Sequence, residues 1–226
     1  IRASSTSRGL GDVYKRQSIL LSPSRLLKLN WDGLVKKGCP ADFVILVSGD
    51  NQKGQDDFYV KFSTNLANGQ SVWKETIAPG LLTTLDPATM PHTLTYDGSA
   101  YTLGQQSYDT RKVGDDGTNP FPSFVGEKIN DVFFHRNRLG FLADENVIFS
   151  EAGEYFNFFN KTVLVLVDSA PIDVAVSNNQ VSILRHAVPF NESLVLFSDF
   201  SQFKLSAEQL LTPETVSYTH LRAHET

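Results

Sequence analysis

"HRNRLGFLADENVIFSEAGEYFNFF", residues 135–159, sets aromatic and aliphatic residues in short bursts, separated by turn formers and charged groups. Bursts this short, with Asn, Asp and Gly between them, fit strands joined by tight turns and are too broken for an amphipathic helix. Four strands are expected here: Val132 to Phe134, Leu139 to Leu142, Val147 to Ser150 and Tyr155 to Phe159. Together they read as one small antiparallel meander. Asn137 tolerates the left-handed backbone of a two-residue hairpin turn. Arg136 and Arg138 carry planar guanidinium groups suited to bonding carbonyls or to pairing with acids such as Glu145 or Glu151. Asn137, Arg138, Gly140, Glu151 and Gly153 are therefore the expected structural motif of the unit.

Downstream, "VSILRHAVPFNESLVLFSDFSQFKL" (181–205) is a degraded version of the same pattern, with Leu194 55 residues after Leu139. A period near fifty with about four strands per unit is the spacing of β-propeller blades. Two units fall short of closure, and an incomplete circle would leave a sheet edge that natural proteins avoid.

Upstream, Phe43 to Val47 and Phe58 to Phe62 read as a hairpin with a long tip, and "SVWKETI", "HTLTYDG" and "AYTLGQQ" supply further short strands. Residues 18–38 carry Leu26, Leu27, Leu29 and Leu34 near helical spacing after Ser24, which suggests a short helix or an arm. "DDGTNPFPS" (115–123) breaks both helix and sheet. The expected fold class is mainly β: an amino-terminal, platform-like sheet domain over 18–118, then the first blades of an incomplete propeller over 119–216.

The two ends are set aside. "RGLGDVYKRQ" (8–17) and "SYTHLRAHET" (217–226) resemble sequencing adaptors read through as protein in metagenomic fragments, so 1–17 and 217–226 are excluded from fold reasoning. The whole chain has a net charge of −5; removing a surplus of +3 at the front and 0 at the back leaves −8. A domain this acidic lacks the basic footprint of a protein that grips nucleic acid, although it would let nucleic acid pass. The single cysteine, Cys39, excludes an internal disulfide and a cysteine-based zinc cage. Sixteen phenylalanines against two tryptophans and one methionine, with many β-branched residues, agree with strands. No run of eighteen apolar residues or secretion-type leader is evident, so no membrane span is expected.

Catalytic candidates are few. Glu151 and Glu154 lie three apart, but Gly153 and the β pattern put them in a turn as solvated acids rather than as a hydrolytic pair. His135 sits beside Arg136 and Arg138, whose charge would depress its basicity, and it reads as a strand histidine at the surface or in a hydrogen bond. His92 and His186 are isolated, and "GDDGTN" (114–119) resembles a calcium loop but lacks its alternating ligands and terminal glutamate. No cofactor, no metal and no catalytic residue is expected.

Residues 119–159, from "NPFPSFVGEKIN" through "EYFNFF", resemble the signature region of the tail tubular protein B, or tail nozzle, family of short-tailed phages. The continuation "LVDSAPIDVAVSNNQ" to "FSQFKLS" and the upstream "DDFYVKF", "VWKETIAPG" and "TMPHTL" are similar to the same family in order, covering about 36–215. The resemblance implies a non-enzymatic virion component, made in the bacterial host cytoplasm. It would form a hexameric ring of identical chains with a platform and a propeller, enclosing the channel through which viral DNA leaves. Its implied partners are the tail adaptor protein and the tail fibres, and the family's chains are several times longer. Ala170 stands where the family usually has an acid before the proline, with Asp168 and Asp173 retained. A tail-associated glycan-binding or glycan-cleaving β module is the alternative, since such sheets host many functions.

Overall fold

The computed structural model describes residues 41–47, 57–65, 70–176, 181–207 and 210–221, and these form thirteen strands and no helix. The expected helix or arm at 18–38, together with Trp31 and Cys39, lies outside the described residues. The chain divides into two compact units.

The first unit comprises the chain to Leu81 with residues 112–118 and 162–164. Its sheet holds β1 (Val44–Val47), β2 (Phe58–Asn65) and β3 (Gln70–Thr76), antiparallel and in sequence order. Alternation on β1 buries Ile45 and Val47, and Ile45 stands opposite Val60, so the period of two becomes a core completed by Phe43, Phe58 and Trp73. Glu75 anchors a distant part of the chain, accepting hydrogen bonds from Thr162 Oγ1 and Val163 N at 2.7 Å each. In "GDDGTN", Asp115 Oδ1 accepts from the backbone N–H groups of Gly117 and Thr118, a turn-capping use of its carboxylate.

The second unit holds a hairpin, β4 (Thr93–Tyr96) with β5 (Tyr101–Gly104), and two four-stranded meanders. The first meander runs β6 (Ile129–His135), β7 (Arg138–Ala143), β8 (Asn146–Phe149) and β9 (Ile172–Ala175); the second runs β10 (Leu184–Phe190), β11 (Ser193–Ser198), β12 (Gln202–Ser206) and β13 (Ser217–Leu221). All neighbouring strands are antiparallel. β6 and β10 start 55 residues apart, as do β7 and β11.

Each face of the first meander is buried against something different. Phe133, Leu142, Val147, Phe149 and Ile172 share one core with Leu194, Leu196, Phe203 and Leu205 of the second meander. On the opposite face Phe141, Ala143 and Ile148 pack on Leu85, Met90, Tyr108, Phe124, Phe158 and Phe159. A sheet apolar on both faces loses the clean alternation of a half-exposed one, which is why β7 is buried along nearly its whole length. The aromatic side of that second core is tightly set, with Phe141 stacked on Phe158 at 5.0 Å and Phe124 edge-on to both.

Three expectations change. Tyr155–Phe159 is not the fourth strand of the meander; that place belongs to β9. The backbone from Glu151 to Asn157 closes on itself, with Glu151 N bonded to Asn157 O and Asn157 N to Glu154 O, which leaves Phe158 and Phe159 to plug the sheet face. Residues 82–111, read as part of the first domain, group with the second unit because Leu85, Met90 and Tyr108 belong to its aromatic core. Finally, residues 217–221 of the excluded stretch form β13. Its five residues are all exposed, so it adds main-chain ladder bonds to β12 and almost no core.

Candidate functional site

The motif residues of the opening stretch converge on the β6–β7 turn. Arg136 and Asn137 have φ values of 46° and 59°, so both central residues are left-handed, as a type I′ hairpin requires. Only Asn137 was readable as such, because an arginine at that position carries no propensity for it. Asn137 O accepts from Gly153 N at 2.9 Å, and Asn137 Oδ1 accepts from the Tyr155 hydroxyl at 2.6 Å. Gly153, at φ 80°, is left-handed as well.

Arg138 is the first residue of β7 and is 1% exposed. Its side chain lies on the core-facing side, and its guanidinium donates five hydrogen bonds, all to main-chain carbonyls. Nη1 reaches Ser150 O at 2.8 Å, Ser169 O at 3.2 Å and Ala170 O at 2.7 Å, while Nη2 reaches Asp168 O at 2.9 Å and Leu211 O at 3.1 Å. One side chain thus ties the end of β8, the connection into β9 and the segment after β12. Burial pushes the Arg138 guanidinium below the usual arginine value, with the negative charge of Glu151 pulling it back.

Glu151 is buried, against the expectation of a solvated turn acid. Its Oε2 accepts from Asn157 Nδ2 at 2.7 Å and from Lys161 Nζ at 2.8 Å. The Glu151 hydrogen bond raises the Lys161 pKa. Glu154 is exposed, so the two acids occupy different environments. Gly140 is required by contact rather than by backbone angle: a Cβ there would stand 2.2 Å from Phe133 Cζ. The Phe133 ring lies across the cross-strand glycine, edge-on to Phe149 at 5.5 Å.

His135 is 6% exposed; burial first, then the Arg136 charge, hold it below the ordinary imidazole value of 6.5. The depression by a neighbouring arginine was legible in the sequence, and the burial was not. Among the described residues no cluster of three or more His, Cys, Asp or Glu side chains is arranged to hold a metal. An open groove of about 1070 Å3 in the second unit is walled by Leu85, Met90, Phe121 and Phe124 and carries no tryptophan. Of its acids, Asp86 caps its own turn through Ala88 N. This site is built for holding backbone in place.

The family described as bacteriophage nozzle protein matches this chain over residues 35–225. The chain belongs to that nozzle family. The tail tubular protein gp12 of Escherichia phage T7 is 42% identical over 179 residues, which cover 78% of this chain. Those residues are 22% of the T7 protein, so the nozzle chain in hand spans about a fifth of its relative's length. Nozzle membership makes it a structural component of a short-tailed phage, carried in the virion; neither description is that of an enzyme. No helix among the described residues is long and apolar enough to cross a membrane.

Several structural residues of this nozzle chain gave no signal in the sequence. Asp131 Oδ2 accepts from Ala187 N at 2.9 Å and Asn130 Nδ2 donates to Leu184 O at 2.9 Å, joining the two meanders. Arg111, 1% exposed, donates to Leu82 O and Asn119 O and lies 4.7 Å from the Phe121 ring centroid. Asp173 accepts from Ser123 N and Asn146 Nδ2, giving the retained acid of the "APID" string a bracing role.

Proposed function

We propose that this chain is part of the wall of a ring-shaped tail nozzle and that its two four-stranded meanders are successive blades of a β-propeller. The observation that carries this reading is the common register of β6–β8 and β10–β12, offset by 55 residues, with the two meanders packed face to face over one core. Phe141 and Leu196 are equivalent residues of β7 and β11, yet the first faces the aromatic core and the second faces the shared core. The meanders are therefore stacked with the second face of one on the first face of the next. Blades arranged around an axis stack in that way.

In this reading identical chains close a hexameric ring below the tail adaptor protein and near the tail fibres, and viral DNA passes through the lumen. A net charge of −5 suits passage. An acidic wall offers the phosphate backbone none of the counterion-releasing lysine and arginine contacts that would trap it. The glycan-cleaving alternative needs two free carboxylates at hydrolytic separation, and Glu151, the best placed candidate, is committed to Asn157 and Lys161.

The test combines electron microscopy of tails from a phage carrying this gene with ejection kinetics. Acids located on the inner wall are replaced by lysine, and DNA release is followed by dye fluorescence. Slower release that recovers at high salt is the expected result. Unchanged kinetics in variants that still assemble would overturn the channel role.

A further inference from the structure

Glu151, Asn157 and Lys161 are joined more closely than a salt bridge requires. The same carboxylate oxygen, Glu151 Oε2, accepts from Lys161 Nζ at 2.8 Å and from Asn157 Nδ2 at 2.7 Å. Two nitrogens bonded to one oxygen are neighbours across it, so the lysine amine lies beside the Asn157 carboxamide. That carboxamide is also held from its other end, because Asn157 Oδ1 accepts from Phe159 N at 3.0 Å. Asn157 and Glu151 are buried, whereas the Lys161 side chain is 57% exposed. A salt bridge accounts for the lysine and the acid. It gives no reason for a buried carboxamide on the same oxygen with an N–H donor on its carbonyl.

We propose that this cluster forms a covalent cross-link, an amide between Lys161 Nζ and Asn157 Cγ, with Glu151 carrying protons between the two nitrogens. A lysine amine is a competent nucleophile once a positioned carboxylate takes its proton. The Lys161 ammonium passes a proton to Glu151 Oε2, and the freed lone pair of Nζ adds to Asn157 Cγ. The carbonyl electron pair moves onto Oδ1, where the Phe159 N–H stabilises the developing charge. Glu151 returns its proton to Nδ2. The Cγ–Nδ2 bond then breaks as the carbonyl re-forms, and the nitrogen departs with the surplus proton of Nζ as ammonium. One Cγ–Nζ bond forms and one Cγ–Nδ2 bond breaks, with no oxidant, reductant or second molecule involved.

Folding supplies the alignment. Asn119 holds both backbone groups of Asn160, accepting from its N–H at 3.0 Å through Oδ1 and donating to its carbonyl at 3.1 Å through Nδ2. Glu151 N donates to Asn157 O at 2.9 Å. The backbone beside each reacting group is therefore set in advance, which removes much of the entropic cost of bringing amine and amide together. The step occurs once per chain, so it makes no turnover enzyme of the protein. Its product closes a ring over 157–161 and fixes Phe158 and Phe159, which plug the aromatic core. None of this depends on the propeller or the nozzle-ring reading.

Intact-mass spectrometry of the 226-residue chain, as purified and after prolonged incubation at neutral pH, reads the link as the loss of one molecule of ammonia. Trypsin supplies the location. An acylated Lys161 is no longer a cleavage site, so residues 139–185 should emerge as one peptide, lighter by one ammonia and giving no sequence fragments from within 157–161. Lys161→Arg keeps the cation and should abolish the loss. Glu151→Gln removes the proton carrier and should slow the reaction by about 100-fold or more. A parent chain that stays at full mass throughout would overturn the cross-link. So would ammonia loss with Lys161 still cleaved, which marks a cyclic imide at Asn157, or the same loss in Lys161→Arg. Cross-linking at the parent rate in Glu151→Gln would overturn the part given to Glu151. The parent chain and Lys161→Arg, whose side chain lies mostly in water, decide the cross-link even where Glu151→Gln fails to fold.

Discussion

Replacing Arg138 by methionine removes the guanidinium while keeping most of the side-chain volume. Five hydrogen bonds are lost, and three of the carbonyls concerned, those of Ser150, Ala170 and Leu211, accept within buried surroundings. A buried acceptor left without its donor costs roughly 1–3 kcal/mol, so these three alone set a range of about 3–9 kcal/mol. Water entering the vacated space and relief from burying a cation both offset part of that. Truncating one partner of a buried, charge-assisted network leaves a net loss of about 3–5 kcal/mol. For a chain of this size that corresponds to a fall in melting temperature of about 10–15 °C. Calorimetry supplies the midpoint, and chymotrypsin supplies a local readout, because Leu164 and Leu166 are exposed in the connection that Arg138 holds at Asp168, Ser169 and Ala170. Faster cleavage there should accompany the lower midpoint. Arg138→Lys keeps the charge but presents its donors from a single point, and it should recover only a minor part of the loss. A methionine variant that melts within about 3 °C of the parent, a loss near 1 kcal/mol, would refute the clamp.

Gly140→Ala forces a methyl group into the Phe133 ring and should cost about 1–3 kcal/mol by urea denaturation. Combined with Phe133→Leu, the double variant should show a coupling above about 0.5 kcal/mol, and strict additivity would show that the ring is free to move aside. The pH dependence of stability carries a signature of His135. Its folded value lies below 6.5, so on acidification the unfolded chain takes up a proton before the folded one does. Stability is therefore lost as pH falls through about 6.5, and a His135→Gln variant should show a shallower decline between pH 7.5 and 5.5 in thermal scans. At the alkaline end, burial raises the Tyr108 hydroxyl to about 12. Above pH 10 or so the unfolded chain ionises first, and Tyr108→Phe should blunt the destabilisation measured there.

Strand positions in this chain were legible where the pattern is local. Short apolar runs bounded by Asn, Asp and Gly mark β6, β7 and β8, and the 55-residue interval from Leu139 to Leu194 matches the offset between β7 and β11. Tyr155–Phe159 misled because a burst of aromatics looks the same whether it pairs in a ladder or plugs a sheet face. The difference lies in the Glu151–Asn157 backbone closure, which periodicity does not encode. Burial of Glu151 was invisible for a related reason: a carboxylate goes inside only when Asn157 and Lys161 are brought to it, from six and ten residues away. For Arg138 guanidinium geometry left two roles open, bonding carbonyls or pairing with an acid such as Glu145 or Glu151, and the structure takes the first. Which carbonyls it would reach depended on the path of the chain from 150 to 170 and on to Leu211.

A side chain that bonds only to carbonyls is indifferent to what those residues carry. Ala170 serves Arg138 through an oxygen every amino acid possesses. What the clamp does constrain is count: Ser150, Asp168, Ser169 and Ala170 must arrive in step, so one residue inserted or deleted in 151–170 would do more harm than many replacements there. Asp168 and Ser169, which serve the clamp through their carbonyls, should therefore vary among kindred phages while the 151–170 segment keeps its length, a pattern that an alignment of their nozzle genes would reveal as substitutions at those two positions without gaps.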